Sequence, residues 1–445
     1  MGGVVYKMYS ELLETLREEI KHQLTEIEAN GDWFWAHPET GYKEWETQKH
    51  CVEIMKHHGF DVVTYPGVTG FVCRYDTGKP GPNVGIMAEM DSVVCFEHPD
   101  CNPQTGAAHA CGHSIQMAVA MGAFFSLKES GALAQLSGSV TLLFVPAEEC
   151  VETEWRLDEI KKGKLHYLGG KQEFLYRGAF RNVDVVISMH SGALNDGTIR
   201  PVGRHNGFLS KNVSFKGCSS HAAVAPEKGI NALYMANTAL TALNALRETF
   251  RDEDMVRVHP ILTKGGEISN AIPEETCIEA MCRANNLKAE LDAAEKFDRA
   301  MGAGAYAFGG KACIKTLPGY LPYQPTKELD EVALEVANDI LGVGYGLRGE
   351  DIAGSEDMGD LSTLLPIIQV YVNYMQGMHH SADYRIADRR IYEISALFLA
   401  ALTCKLLDNN GELAQKVITA HKPQFSSVEE YCAFMDQLFS EKYLP

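Results

Sequence analysis

Cys111 and His113 stand one glycine apart in AHACGHSIQMA, residues 108–118. A thiol and an imidazole on one tight turn serve two chemistries: ligands for a zinc-like metal, or a nucleophile beside its base. Other segments bear on the choice. Asp91 closes NVGIMAEMD, Glu148 and Glu149 close GSVTLLFVPAEE, and His190 closes VDVVISMH. Each segment reads as a short strand, and loops just beyond strand C-termini form the active-site crevice of open α/β sheets. Thiolate, imidazole and carboxylate gathered on one rim suit zinc or a neighbouring first-row metal better than calcium or magnesium. Adjacent Glu148 and Glu149 repel one another unless cations absorb their charge. With one on a metal and the other free, such a pair divides into ligand and general base. His221, in GCSSHAAVAPEKGINAL, is flanked by small residues that leave its ring exposed and able to donate to an oxyanion. The doublet His379 and His380 in GMHHSADY offers one further ligand, and the residues alone leave open which.

The elements that must position these groups alternate between helix and strand, an α/β pattern. SELLETLREEIKHQLTEIEANG has apolar residues at three- and four-residue spacing and predicts an amphipathic helix ending at Gly31. ETQKHCVEIMKHHGF predicts a second helix closed by Gly59, with His57 and His58 at a solvated end. DVVTYP, GFVCRY and NVGIMAEMD follow as strands, and SIQMAVAMGAFFSLKES, apolar nearly all round, is a helix packed on both sides. GSVTLLFVPAEE and VDVVISMHSG have the apolar runs of buried central strands. From about residue 203 a β-α-β-β-α unit begins, ended by ACIKTLPGY, after which α/β alternation resumes to the helix RRIYEISALFLAALTCKLL. The expected division is a catalytic domain of residues 1–202 and 319–445, interrupted by a lid of residues 203–318.

Composition narrows the classes. At 445 residues the chain is too long for one core, and two domains are expected. Its 45% apolar and 22% charged residues are those of a globular protein. The net charge of −19 and scattered basic residues argue against a nucleic-acid or anionic-membrane partner. The N-terminal stretch MGGVVYKMYSELLETLREEI has no apolar run of signal-peptide length, and ALFLAALTC is too short to span a bilayer. Twelve cysteines without CxxC pairs or regular spacing suggest reduced thiols and a cytoplasmic protein.

HACGH, PAEE, VDVVISMH, SSHAAVAPEKGINAL, GGEISNAIPE, GSEDMGD and HHSADY occur in the order found in one family of dinuclear metallopeptidases, and most of residues 30–405 resembles it. That family comprises the aminoacylases, hippurate hydrolases and aminobenzoyl-glutamate hydrolases. RVHPILTKGGEISNAIP and SEDMGDLSTLLP are similar in particular to the aminobenzoyl-glutamate hydrolase branch. The resemblance implies a mixed-sheet catalytic domain, an inserted α+β lid that forms a dimer, and two divalent ions per protomer, zinc, manganese or cobalt. It implies Cys111 as a bridging thiolate, with His113, His190, Glu149 and His380 as the other ligands. His380 is preferred to His379 because HSADY matches the family spacing from histidine to aromatic. Glu148 would be general base on a metal-activated water, and Asp91 would orient a ligand. His221 would reach the active site of a partner protomer. Asn270 and Arg283 would bind a carboxylate or the polarised carbonyl. The implied reaction is hydrolysis of the amide bond of an N-acyl or aminobenzoyl-type amino acid.

The chain departs from the family pattern at Ser114 and Gln116, where aspartate and histidine are usual, and at Cys150, where glycine is usual. The segment that follows Cys150, VETEWRLDEIKKGKLHYLGGKQ, is longer than the family connection. Three rivals stay open at this level: a metallo-dipeptidase with the same site, a cysteine hydrolase using Cys111 and His113, and a non-catalytic metal-binding subunit paired with a related chain.

Overall fold

The computed structural model describes residues 2–445, with side chains from Tyr9 onward. The chain forms two compact units, the first comprising Met1–Gly203, Pro325–Glu350 and Leu361–Gln424, the second Arg204–Gln324, Asp351–Asp360 and Phe425–Pro445.

The first unit is built on a seven-stranded sheet. Strands Asn83–Glu89, Ser139–Val145 and Val185–Ser191 are buried at every position, in keeping with their predominantly apolar sequences. These three and Ile367–Val372 pair in parallel, so their C-terminal ends share one rim. Phe71–Asp76 and Ile199–Pro201 flank them antiparallel, which makes the sheet mixed. The helix His113–Glu129 is buried at every residue from His113 to Leu127, so its all-round apolar character reflects packing on both sides.

Two local readings change. The first helix runs Gly2–Ala36, straight through Gly31. A Cβ on Gly31 would overlap the ring of Tyr392, so this glycine marks a close helix approach and not a helix end. His58 is not solvated: its ring stacks on Phe125 at 3.8 Å, with Nε2 2.9 Å from Glu26 and Nδ1 3.1 Å from Glu129.

The second unit carries a five-stranded antiparallel sheet in the order Arg257–Lys264, Glu275–Ala284, Gly207–Lys216, Lys311–Pro318, Ser440–Leu444. Gly207–Lys216 and Glu275–Ala284 alternate between buried and exposed positions, the signature of a sheet covered on one face. Helices Ala232–Leu246 and Leu287–Phe308 supply that cover through Met235, Leu243, Phe297 and Met301. The fifth strand differs from the division expected above, which places all of residues 319–445 in the catalytic part. Ser440–Leu444 pairs with the sheet of the second unit, Ala312 with Leu444 through Thr316 with Ser440. SEKYL is short, mostly exposed and without apolar alternation, so no periodic signal announces it. Among the described residues no helix is long and apolar enough to cross a membrane.

One acid of the first unit yields a test. Asp330 lies in the helix Lys327–Leu341, buried, with Oδ1 lacking a hydrogen-bond partner. Burial, partly opposed by Arg348, pushes its carboxyl up to about 7. A group titrating near ~3.9 when unfolded and higher when folded stabilises fully below the lower value and loses that contribution as pH rises through the upper one. Asp330→Asn is therefore expected to raise stability at pH 8 by about 1–3 kcal/mol. The gain should vanish near pH 4, as thermal unfolding at the two pH values would show.

Candidate metal centre

Along the rim where the parallel strands end, side chains from four segments converge. Cys111, His113 and His190 place one ligand atom each within 4.8 Å of one another, and so do Cys111, Glu149 and His380. A third group of the same span contains His113, Glu148 and Glu149. The thiol is thus common to two triads, the arrangement needed to bridge two cations. Cys111 Sγ lies 3.4 Å from His190 Nε2, and His380 Nε2 lies 3.1 Å from Glu149 Oε1.

The backbone around the thiol has little freedom. Gly112 has φ 93°, and a Cβ there would collide with Ser191 Oγ and Tyr384 Oη. Those two hydroxyls share a hydrogen bond of 2.6 Å, and the one that is not its donor is free to donate to the Cys111 carbonyl, 3.2 Å from Ser191 Oγ and 3.3 Å from Tyr384 Oη. His380 itself sits at φ 62°, a costly conformation for a non-glycine residue of the kind that concentrates at functional sites. His379 is turned away, with Nε2 2.8 Å from the Ser191 carbonyl.

Asp91 is hydrogen-bonded to three residues of this cluster. Its Oδ1 accepts the Glu148 N–H at 3.1 Å and its Oδ2 the Glu149 N–H at 2.9 Å. His113 Nδ1 donates to the Asp91 carbonyl at 2.9 Å, which leaves Nε2 to face a cation. His113 Nε2 and Glu89 Oε2 approach to 3.3 Å, yet neither buried atom has a hydrogen-bond partner among the described residues. Orphaned buried donors and acceptors beside a thiol and carboxylates are what a divalent ion would satisfy, and the sulfur, nitrogen and oxygen set fits zinc or a neighbouring first-row metal.

The charges are consistent with a site shaped for cations. Burial, reinforced by Glu149 and Glu148, pushes the Cys111 thiol well up. Burial opposes protonation of His113, but the Asp91 carboxylate, 3.4 Å from Nδ1, and the Glu89 charge outweigh it and raise the imidazole to about 9. His190 is pushed down to about 3 by burial, with His379 and His113 adding to the effect. Burial works against ionised Glu149, but the His380 imidazole holds its carboxyl below the usual range, and Glu149 in turn raises His380.

Several contributors escape the sequence reading. Glu89 lies two residues before Asp91 on the same strand end, so alternation alone could have flagged it. Lys171, whose Nζ is 2.5 Å from Glu89 Oε1, carries no such signal. Gln116, in the position where histidine is usual, accepts the Glu89 N–H at 3.0 Å and donates to Ser188 Oγ at 3.0 Å. The long segment after Cys150 forms the helix Thr153–Lys161, and its fully buried Arg156 donates to the Glu149 carbonyl at 2.7 Å and the Leu168 carbonyl at 2.9 Å. Arg156 therefore braces the turn that carries Glu149.

His221, Asn270 and Arg283 belong to the second unit. His221 is exposed and bridges backbone to backbone with Ala271, while the Ala222 N–H donates to the Asn270 carbonyl at 2.9 Å, so His221 and Asn270 share one loop pair. His221 Nδ1 accepts the N–H groups of Ala223 and Val224, both at 3.2 Å, which assigns its proton to Nε2. Arg283 packs over the Phe208 ring at 5.1 Å and donates to Ser355 Oγ at 2.6 Å.

Known proteins share both sequence and shape with this chain. The profile of peptidase family M20/M25/M40 matches residues 85–403. The IAA-amino acid hydrolase ILR1-like 4 of Arabidopsis thaliana is 27% identical over 344 residues, 74% of this chain and 72% of its own. A Xaa-Arg dipeptidase of Mus musculus is 28% identical over 366 residues, 79% of this chain and 77% of its own. One component of the p-aminobenzoyl-glutamate hydrolase of Escherichia coli K12 is 27% identical over 310 residues, 65% of each chain. A dinuclear metal-binding peptidase of the M20 family from Bacillus subtilis superposes with a TM-score of 0.69 at 21% identity, over 87% of this chain and 99% of its own, a likeness of fold.

The two histidines of the doublet separate by experiment. His380→Ala is expected to reduce the metal content by about one ion per chain. His379→Ala should keep the content of the parent protein, as mass spectrometry of the purified variants would show.

Proposed function

The chain belongs to peptidase family M20/M25/M40, and from that premise we propose that it hydrolyses the amide bond of an N-acyl or aminobenzoyl-type amino acid at two divalent ions. The sharing of Cys111 between two ligand triads, with a further carboxylate at Glu148, carries this reading. Cys111, His113 and His190 would hold one ion, and Cys111, Glu149 and His380 the other, as zinc, manganese or cobalt. When bound, such ions would lower the pKa of a water ligand towards ~7 and polarise an amide carbonyl.

The residues of this chain supply the rest. Glu148, partly exposed with Oε2 3.9 Å from His113 Nε2, is the one carboxylate of the pair outside both Cys111 triads. It takes a proton from the attacking water and returns it to the leaving amine. Asp91 fixes the backbone of Glu148 and Glu149 and the tautomer of His113. His221, with its proton on Nε2, donates to the oxyanion developing in the active site of a partner protomer. Asn270 and Arg283 bind the carboxylate of the substrate, the guanidinium being suited to bidentate capture.

The cysteine-hydrolase rival fares worse. An activated thiol has a lowered pKa, whereas Cys111 is pushed up, and that rival leaves Glu149 and His380 without a role. The dipeptidase reading uses the same site, and a panel of N-acyl amino acids against free dipeptides separates the two.

A homodimer through the second unit has its own support. Arg257–Lys264 is an edge strand of eight residues with Ile261 51% and Leu262 46% exposed. A long, partly apolar edge is a ready template for pairing with another chain. A cytoplasmic location agrees with twelve free cysteines.

Two outcomes are expected. Glu148→Gln should lower kcat by about 10²–10⁴-fold while metal content stays at the parent level; normal turnover at full metal content would remove the base assignment. Light scattering should give a dimer of the 49.0 kDa chain, and Ile261→Asp should shift it towards monomer. A parent protein that is monomeric at micromolar concentration would refute the pairing.

A further inference from the structure

We propose that Glu89 and Lys171, a buried ion pair that the reaction itself does not use, are positioning residues that hold a fixed negative charge against the metal-facing edge of His113. Glu89 is 1% exposed and Lys171 0%, with Lys171 Nζ 2.5 Å from Glu89 Oε1. Removing two charges from water is expensive, and an apolar pair of similar volume often serves stability as well or better. Stability alone is thus a poor reason for the pair.

Its geometry supplies another. Lys171 engages one oxygen of Glu89, while the other, Oε2, lies 3.3 Å from His113 Nε2 without a directed hydrogen bond. His113 Nδ1 is already committed to the Asp91 carbonyl, so Glu89 faces the nitrogen that would meet a cation. The spacing is fixed from both sides. The Glu89 N–H is tied to Gln116, one turn along the helix that begins at His113, and Gln116 reaches Ser188, which donates to the Met87 carbonyl at 3.0 Å. Lys171 enters from the start of the helix Gly170–Tyr176, whose Gly170 N–H donates to the Ala147 carbonyl of the PAEE turn at 3.0 Å. Glu89 belongs to neither Cys111 triad, so it acts through His113 and through its charge, not as a ligand. Lys171, bound to Oε1, anchors that carboxylate at its distance from His113.

The assignment rests on the two-metal reading, and the test separates the two. Glu89→Gln, Lys171→Met and the double variant are stripped with chelator, then titrated with zinc by calorimetry, melted without metal, and loaded with cobalt for absorption spectra. Without metal, Lys171→Met should melt lowest, because it leaves an uncompensated buried carboxylate, and the double variant should recover most of that loss. Zinc affinity should not recover: Glu89→Gln and the double variant should bind one of the two ions about 10–100-fold more weakly, with a shifted cobalt d–d band. If the double variant binds both ions as tightly as the parent with an unchanged cobalt spectrum, the pair is only structural and the assignment falls. If the parent itself binds no zinc, the two-metal reading falls instead. Should Lys171→Met fail to fold, Glu89→Gln and the double variant still decide.

Discussion

The Asp91 carboxylate is the constraint on which the rest of the site depends. It is fully buried, and an ionised carboxylate in such a place is tolerable only if its oxygens are taken up. Two adjacent backbone amides do this, those of Glu148 and Glu149, through charge-assisted hydrogen bonds. The same residue offers its carbonyl to His113. Three segments distant in sequence are thereby locked together at one residue: the strand end that carries Asp91, the turn after the next, and the start of the central helix. The PAEE turn accepts a left-handed Ala147, φ 55°, because Asp91 on one side and buried Glu44 on the other hold its amides.

That concentration of acid has an electrostatic consequence. Glu44, Glu89, Asp91, Glu148 and Glu149 crowd one rim, with Lys171 and Arg156 as buried cations among them. Burial and the neighbouring Asp91 push Glu44 up to about 8, so it keeps its proton and relieves part of the repulsion. Without metal, protons on Cys111 and His113 balance further charge. On the reading that Cys111 and His113 are ligands, cation binding would exchange those protons for metal and so link occupancy, pH and folding stability.

Much of this was legible in the sequence because it is written in periodicity and in residue type at strand ends. Fully apolar runs announced the central strands, and the all-round apolar helix after His113 could only be buried. The residues alone left the His379–His380 doublet open and only the family resemblance favoured His380; in the structure His380 lies with Cys111 and Glu149, while His379 meets the Ser191 carbonyl. What could not be read are contacts made by single residues from afar. Lys171 and Arg156 look like solvated cations until their carbonyl and carboxylate partners are in view. Gly31 looks like a helix stop until Tyr392 is seen against it. SEKYL has no pattern of its own because its strand character is borrowed from Lys311–Pro318.

The fifth strand of the second unit bears on biosynthesis. Ribosomes deliver the N-terminal side first, and domains tend to fold as they emerge. Both units here must wait for late-made segments: the first for Ile367–Val372 and His380, the second for Ser440–Leu444. While it waits, the sheet of the second unit shows a bare edge at Lys311–Pro318, and Cys111 stands without His380 beside it. A nascent chain in that state is exposed to mispairing and thiol oxidation, so chaperone cover and a reducing milieu matter more during its synthesis than afterwards.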